Sequence, residues 1–293
     1  MYRRIDAAIF NRMYDRYNRR RFVSPDPLEF LYHYDDPADR EVVALLAASL
    51  AYGRVAQILK SVAWVLDRLG PAPAAFISAC SRPTVTKTCK GFRHRFCDHK
   101  HMAAFLWGIR GVLHEFGSLE ACFARHVPAW GEQAEAQTLQ SLHKSHKSQT
   151  LSKTSHDALV GFVGDLRTLG AADCGHMLAD PAKGSACKRL HLFLRWQVRS
   201  DSVDPGGWQC IDKQRLVIPL DTHMHKIGSA LGMTCRKQAD IRAAAEITAA
   251  FRRFCPDDPV KYDFGLTRLG IRQECDMEAF LAECRQAAGR AQG

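Results

Sequence analysis

The sequence has no CxxC pair and no apolar run long enough to cross a bilayer. Its most apolar stretch, 42–69, carries four charged residues, and the arginine-rich first 22 residues lack an apolar core segment. We therefore expect neither a transmembrane helix nor a signal peptide, and we expect a cytoplasmic protein. Few segments alternate at period two, which argues against a fold built mainly of amphipathic strands.

Cysteine is common, but its arrangement excludes the usual structural uses of the residue. The eleven cysteines are an odd number scattered along 293 residues, which argues against a disulfide framework. The nearest approach to a metal-binding set, Cys255, Cys275 and Cys284, is too widely spaced for a zinc site. We therefore expect buried reduced thiols and no bound metal.

Positive charge is in excess along the chain. There are 41 Lys and Arg residues against 31 Asp and Glu residues, a formal net charge of +10. Such a surplus favours a polyanionic partner, with nucleic acid first and an anionic membrane second. A basic protein without such a partner remains the alternative, because charge alone does not identify what is bound.

Apolar residues recur at helical spacing along most of the chain, which predicts an all-α fold. The pattern predicts helices over 42–50, 55–69, 102–116, 159–169, 188–198, 242–254 and 280–288. Gly53 indicates a turn between the first two, and Gly70, Gly117 and Gly170 are stop signals after three others. The polar, repetitive segment 131–156 lacks this periodicity, and we expect a flexible insert there.

A loop of small residues precedes the helix predicted to begin near Lys188. Small residues let a ligand approach the backbone, and the free N–H groups of a first helical turn attract anions such as a DNA phosphate. We therefore predict that Arg189 lies beside a set of backbone donors to phosphate, namely Gly184, Ser185, Ala186 and Cys187.

A second segment supplies an acidic partner for that lysine. Asp221 or Thr222 is placed to cap the next helix, and Asp221 lies 33 residues after Lys188. Two such helix starts can face an amine and a carboxylate across one site, where a desolvated amine is a nucleophile. A surface lysine and a simple helix cap remain the plainer interpretations. We interpret His223 as structural, because an HxH pair lacks a third metal ligand.

These segments resemble a known superfamily. GSACKRLHLFL is similar to the helix-hairpin-helix of the HhH-GPD superfamily of DNA base-excision glycosylases, and PLDTHMHKI is similar to the block that holds its aspartate. Segment 45–54 resembles the helix and turn with its strand-wedging residues, and 91–96 resembles a segment of its oxoguanine branch. The signatures DPLEFLYHY, KRLHLFLRW and DPVKYDFGLTRLGI resemble those of the bacterial DUF2400 family.

The resemblance implies an architecture and an activity. It implies two helical subdomains with a cleft between them: residues 39–205, ending in the helix-hairpin-helix, and residues 1–38 together with 206–293. It also implies a DNA repair enzyme, a bifunctional DNA glycosylase and AP lyase that flips a damaged base and breaks the glycosidic bond through a lysine Schiff base. Lys188 and Asp221 fall on the catalytic positions. The implied partner is double-stranded DNA with a damaged base or an abasic site, in the bacterial nucleoid.

The resemblance also assigns the remaining site residues. Tyr52 and Arg54 would fill the gap left by the flipped base, and His94 and Arg95 would contact the DNA backbone. The superfamily's iron–sulfur branch has four closely spaced C-terminal cysteines, a pattern that this chain does not have, so we expect no cluster and no other cofactor. Two alternatives stay open: a non-catalytic DNA-binding protein of the same fold, and a protein that binds RNA.

Overall fold

A computed structural model of the chain describes residues 6–127, 154–271 and 277–290, and it is mostly helical, which confirms the all-α class. The helices in chain order are α1 (Ala7–Tyr17), α2 (Pro37–Leu50), α3 (Val55–Leu69), α4 (Pro73–Ala79), α5 (Arg82–Thr88), α6 (His99–Phe116), α7 (Leu119–Ala124), α8 (Ser155–Leu166), α9 (Lys188–Val198), α10 (Thr222–Ala230), α11 (Ile241–Arg252), α12 (Asp263–Ile271) and α13 (Met277–Arg290). None of these helices is long and apolar enough to span a membrane.

Shorter elements connect the helices. Strands β1 (Arg93–His94) and β2 (Cys97–Asp98) form an antiparallel hairpin in which His94 pairs with Cys97. The 3₁₀ helices are Arg20–Phe22, Pro27–His33, Gly175–Met177, Pro181–Lys183 and Lys213–Arg215, and a π-helical turn spans Arg167–Ala171. The sequence predicted none of these, because each is shorter than the window in which apolar periodicity can be read.

The helix predictions were accurate where local stop and start signals are strong. Helices α3 and α9 have the predicted bounds, and α3 ends at Gly70, whose φ is +78°. Helix α6 begins three residues earlier than predicted, because the Asp98 side chain caps it by accepting from the backbone N–H of His101. The α-helix α8 runs to Leu166 and continues as a π-helical turn, and the chain kinks at the predicted stop, Gly170, whose φ is +143°.

The predicted insert over 131–156 is only partly described. Residues 131–153 lie outside the described residues. Of the last three residues, Thr154 caps α8 by accepting from the N–H of His156, and Ser155 and His156 are the first two residues of the helix. All three are buried. Helix α8 therefore begins inside the segment where we expected an insert. Apolar periodicity did not indicate this start, because the apolar residues of the helix begin only at Ala158.

Helix α2 lies at the centre of the fold. Its residues from 41 to 50 are all buried, so the helix is enclosed on every side rather than amphipathic. It packs against α9, α4, α7 and the 3₁₀ helix Pro27–His33. The N-terminal helix α1 packs against α12, and the ring of Phe10 contacts a group of aromatic rings from the C-terminal part of the chain, Phe251, Phe254, Tyr262 and Phe280. The division into two subdomains with a cleft stays a prediction.

The segment between α9 and α10 is folded against the core rather than being a loose link. The backbone N–H of Trp208 donates to the carbonyl of Gln197, and the indole N–H of Trp208 donates to Glu41 at 2.7 Å. Glu41 also accepts from the N–H of Leu119 at the start of α7. Burial raises the pKa of Glu41 to about 7. This tether fixes the path of the chain from Lys188 towards Asp221.

Candidate lysine–aspartate site

Lys188 and Asp221 lie together in the structure. Lys188 is the first residue of α9, Asp221 is the residue before α10, and Lys188 Nζ lies 3.4 Å from Asp221 Oδ2. The side chains are 35% and 19% exposed, so the pair is shielded without being sealed from solvent. The sequence predicted both residues as helix starts, but their meeting depends on how the intervening 32 residues fold.

The two oxygens of Asp221 have separate tasks. Oδ1 accepts from the backbone N–H of Met224 at 2.8 Å, which is the capping interaction predicted for this position. Oδ2 faces the amine of Lys188. The cap fixes the carboxylate, and a fixed carboxylate beside an amine can exchange a proton with it. The structural and chemical interpretations of Asp221 are therefore compatible.

The loop before α9 is divided between surface and interior. Gly184 and Ser185 are exposed, whereas Ala186 and Cys187 are buried. Gly184 has a φ of +77°, and its carbonyl accepts from the N–H of Ile241 at 3.2 Å, which joins the loop to the start of α11. Cys187 precedes α9 with a φ of +43° and makes no side-chain cap. The helix that would complete a helix-hairpin-helix is reduced to the three residues Pro181–Lys183, so that motif is not established.

Arg189 does not lie free beside the loop as a DNA contact. Its guanidinium donates to the backbone carbonyls of Ser49 and His176, and its third acceptor is the carbonyl of Met177 at 3.4 Å. It also lies over the ring of Tyr52, 4.8 Å from the ring centroid. Arg189 therefore joins the end of α2, the turn at 52–54 and the loop before α9, because its donors are used by the protein's own backbone.

The predicted DNA contacts of the 52–54 turn and the β hairpin differ in exposure. His94 is 1% exposed; its Nε2 donates to the carbonyl of Tyr52 at 3.1 Å and its Nδ1 accepts from Ser61 Oγ at 2.8 Å. Burial lowers the pKa of His94, so the ring is neutral at pH 7. A buried neutral ring supports the hairpin from within and does not reach a phosphate. Arg54 and Arg95 are exposed, as the predicted role requires.

The structure adds a carboxylate that the sequence analysis missed. Asp263 begins α12, is fully buried, and accepts from the guanidinium of Arg195, while its Oδ1 has no hydrogen-bond partner. Burial raises the pKa of Asp263 to about 6, and the negative charge of Asp221 adds to that rise, whereas Arg195 and Lys188 oppose it. Asp263 thus interacts electrostatically with the pair. The signature DPVKYDFGLTRLGI contains it, but nothing local marks its role.

His223 and His225 lie two and four residues after Asp221 and are the nearest candidates for metal ligands along the chain. Among the residues described, no group of three or more His, Cys, Asp or Glu side chains could hold a metal ion, and Cys275 lies outside them. His225 donates from Nε2 to the carbonyl of Arg236 at 2.9 Å, which fixes that ring in a turn contact. His223, which we interpreted as structural, is exposed.

These observations define the class of protein. It has a helical fold in which a lysine and an aspartate, each at the start of a helix, form one partly exposed pair. The chain belongs to the DUF2400 family, whose description is "Protein of unknown function (DUF2400)" and which matches residues 26–272. The match includes both residues of the pair. Neither the curated proteins nor the solved structures contain a match to this chain.

Proposed function

We propose that this protein is a DNA glycosylase with AP lyase activity, in which Lys188 is the nucleophile and Asp221 its proton partner. The observation that carries the proposal is the 3.4 Å approach of Lys188 Nζ to Asp221 Oδ2 from two different helices. Two features support it: the lysine is exposed enough to be reached by a substrate, and the net charge of +10 suits a polyanionic one.

The reaction follows from the chemistry of an amine beside a carboxylate. Asp221 first takes one proton from the ion-paired ammonium of Lys188, and the free amine then forms a bond to C1′ of a flipped nucleotide while the glycosidic bond breaks. The electron pair of that bond leaves with the base, which takes up the proton that Asp221 holds. The attacking nitrogen loses a proton to Asp221, and ring opening gives a Schiff base. Removal of a C2′ proton then expels the 3′ phosphate, which nicks the strand.

Two further features near the pair support the proposal: backbone N–H groups that suit a phosphate, and a carboxylate fixed by its capping bond. Gly184 and Ser185 are exposed just before α9, and no side chain caps that helix, so we assign the first N–H groups of α9 to a phosphate. The cap from Asp221 Oδ1 to Met224 holds the carboxylate in one rotamer. A preorganised partner lowers the cost of orienting the reacting groups.

Borohydride trapping tests the proposal. Purified protein is incubated with duplexes that carry an abasic site, 8-oxoguanine, uracil or an oxidised pyrimidine, together with sodium borohydride. The expected result is a covalent adduct with at least one duplex, which is lost in Lys188→Gln. Lys183→Gln is the matched control, because Lys183 lies five residues earlier and is 78% exposed; its adduct should equal that of the wild type.

Other outcomes separate the alternatives. DNA binding without an adduct, and without base release in a direct assay, would overturn the catalytic proposal and favour the non-catalytic DNA-binding protein. Base release without an adduct would assign a water nucleophile instead of Lys188. Stronger binding to RNA duplexes than to every DNA duplex would overturn the assignment of DNA as substrate.

A further inference from the structure

Phe96 is the most exposed large apolar side chain in the described part of the chain. It is 65% exposed, and with Arg95 it forms the two-residue turn between β1 and β2. One exposed apolar side chain is ordinary on a protein surface. Phe96 differs from an ordinary surface residue because it lies in a short turn of fixed shape. Arg95 in the same turn has a φ of +51°, a left-handed conformation that persists only because the rest of the hairpin holds it.

The hairpin is anchored to the 52–54 turn as one unit. Buried His94 bonds to the carbonyl of Tyr52, and the Tyr52 hydroxyl donates to the carbonyl of His94 at 3.2 Å. Gly53 has a φ of +105°, and a Cβ at this position would lie 3.0 Å from Arg95 Cδ, so the two loops are in close contact. A tip that is anchored in this way keeps its shape when it meets a partner.

The tip lies on the side of the molecule where α9 begins. The ring of Phe96 packs on the ring of His176, with centroids 5.5 Å apart, and the carbonyl of His176 accepts from Arg189. Arg189 directly follows Lys188 in α9. Two consecutive contacts therefore link the exposed ring to the residue beside the candidate nucleophile.

The surroundings of the ring are basic. Arg54, Arg93 and Arg95 are all exposed, and in the described part of the chain none of them forms an ion pair with a carboxylate. The guanidinium of Arg95 lies 5.3 Å from the centroid of the Phe96 ring. An exposed aromatic ring can stack on a base, and unpaired guanidinium groups can bind phosphates. This surface therefore carries both kinds of contact that nucleic-acid-binding proteins use.

We propose that Phe96 is a wedge that enters the base stack of double-stranded DNA at a position vacated by a flipped or missing base, while Arg54 and Arg95 bind the flanking phosphates. This inference rests on the proposed function and names the structure that the site recognises, a duplex with a gap in its stack. It replaces the expectation that Tyr52 fills the gap, because the Tyr52 hydroxyl is bonded within the hairpin and its ring is covered by Arg189.

Equilibrium binding tests the wedge. The probes are a duplex that carries a tetrahydrofuran abasic analogue with 2-aminopurine opposite it, and the same duplex without the gap. Phe96→Ala should weaken binding to the gapped duplex about tenfold and reduce the 2-aminopurine fluorescence change, because base–aromatic stacking is lost. Binding to the intact duplex should change less than twofold, since phosphate contacts dominate there. Phe96→Trp should restore both signals.

Controls make each failure distinguishable. Val160→Ala, at the other exposed large apolar residue, 40% exposed on α8, should leave both affinities unchanged. Thermal unfolding should show that Phe96→Ala is folded. Equal loss on gapped and intact duplexes, or no loss on either, would overturn the wedge while wild-type trapping still supports the proposed function. If the wild type binds neither duplex and traps none, both the wedge and the proposed function are overturned.

Discussion

The two ends of helix α9 carry the same kind of ion pair in opposite surroundings. At the first residue, Lys188 meets Asp221 where about a third of the lysine side chain is exposed. Two and three turns later, Arg195 and Arg199 are 3% exposed and bonded to buried or nearly buried carboxylates, namely Asp201, Asp204, Asp258 and Asp263. The first pair can be reached by a substrate, and the second cluster cannot. Solvent access, rather than residue type, separates a charge available for chemistry from one that holds the fold.

The two clusters are nevertheless neighbours. Arg195 follows Lys188 by seven residues and therefore lies two turns along the same face of α9. Arg195 binds Asp263, the carboxylate that interacts electrostatically with both Lys188 and Asp221. The buried cluster also joins α9 to α12, which packs against α10. The rigid end of the helix thus fixes the position of the exposed end.

Removing one charge from the buried cluster should have the largest effect. Arg195→Met leaves Asp263 without its guanidinium in a fully buried position, and uncompensated buried charge costs about 3–5 kcal/mol. We expect a loss of that size in the free energy of unfolding, measured by urea denaturation. Arg236→Met is the control: Arg236 pairs with Glu246 at 2.8 Å but is 35% exposed, and its loss should cost less than about 1 kcal/mol. Equal losses of unfolding free energy in the two variants would show that burial does not determine the cost of removing a guanidinium.

The middle of α9 should give a pH-dependent effect of intermediate size. Burial lowers the pKa of His191 from 6.5 to about 3, and the adjacent His156 adds to the shift. Because the unfolded chain binds this proton below pH 6.5 and the folded chain binds it only near pH 3, the stability present above pH 6.5 is lost as the pH falls between these values. The loss from this group is about 1.4 kcal/mol for each pH unit below 6.5.

His191→Gln removes that titration. The stability of the wild type relative to His191→Gln should therefore decline between pH 6.5 and pH 4.5, in denaturation series at matched ionic strength. A difference between the two proteins that stays constant across this range would show that His191 takes up its proton at the same pH in the folded and the unfolded chain. His225→Gln, which alters a half-buried ring that donates to a backbone carbonyl, provides a comparison at a more solvated position.

The exposed end should show the smallest effect on stability. Asp221→Ala removes both the cap and the ion pair, and loss of an aspartate cap costs about 1 kcal/mol. Asp221→Asn keeps an oxygen that accepts from Met224 and should therefore remain within about 0.5 kcal/mol of the wild type, since a partly exposed ion pair contributes little. Thermal unfolding measures both. If the two variants lose adduct formation equally while differing in stability, the second oxygen of Asp221 acts in the chemistry.

Local sequence signals predicted the parts of the site that depend on neighbours along the chain. The stop at Gly70, the turn at Gly53 and the start of α9 at Lys188 follow from periodicity and from backbone freedom at glycine. The cap at Asp221 has the same origin, because a capping bond spans only three residues. The short hairpin at 93–98 and the helix α12 had no comparable signal.

Residue type alone did not reveal which predicted contacts face solvent. Arg189, Arg95 and His94 all have side chains that suit a DNA backbone, yet Arg189 donates to backbone carbonyls, His94 is buried, and only Arg95 is exposed. Exposure depends on which elements pack over a residue, and that packing joins positions more than forty residues apart. The apolar Phe96, which composition would assign to the core, is exposed for the same reason.

The sequence by itself determined the helical class, the bounds of α3 and α9, the positive charge, and the placement of Lys188 and Asp221 at helix starts, because these follow from composition and from interactions over a few residues. Only the tertiary structure decided that the two side chains meet, that Asp263 lies behind them and that Phe96 is left outside. Those outcomes depend on long-range packing and on the tether from Trp208 to Glu41, in which residues far apart in the chain become neighbours through burial.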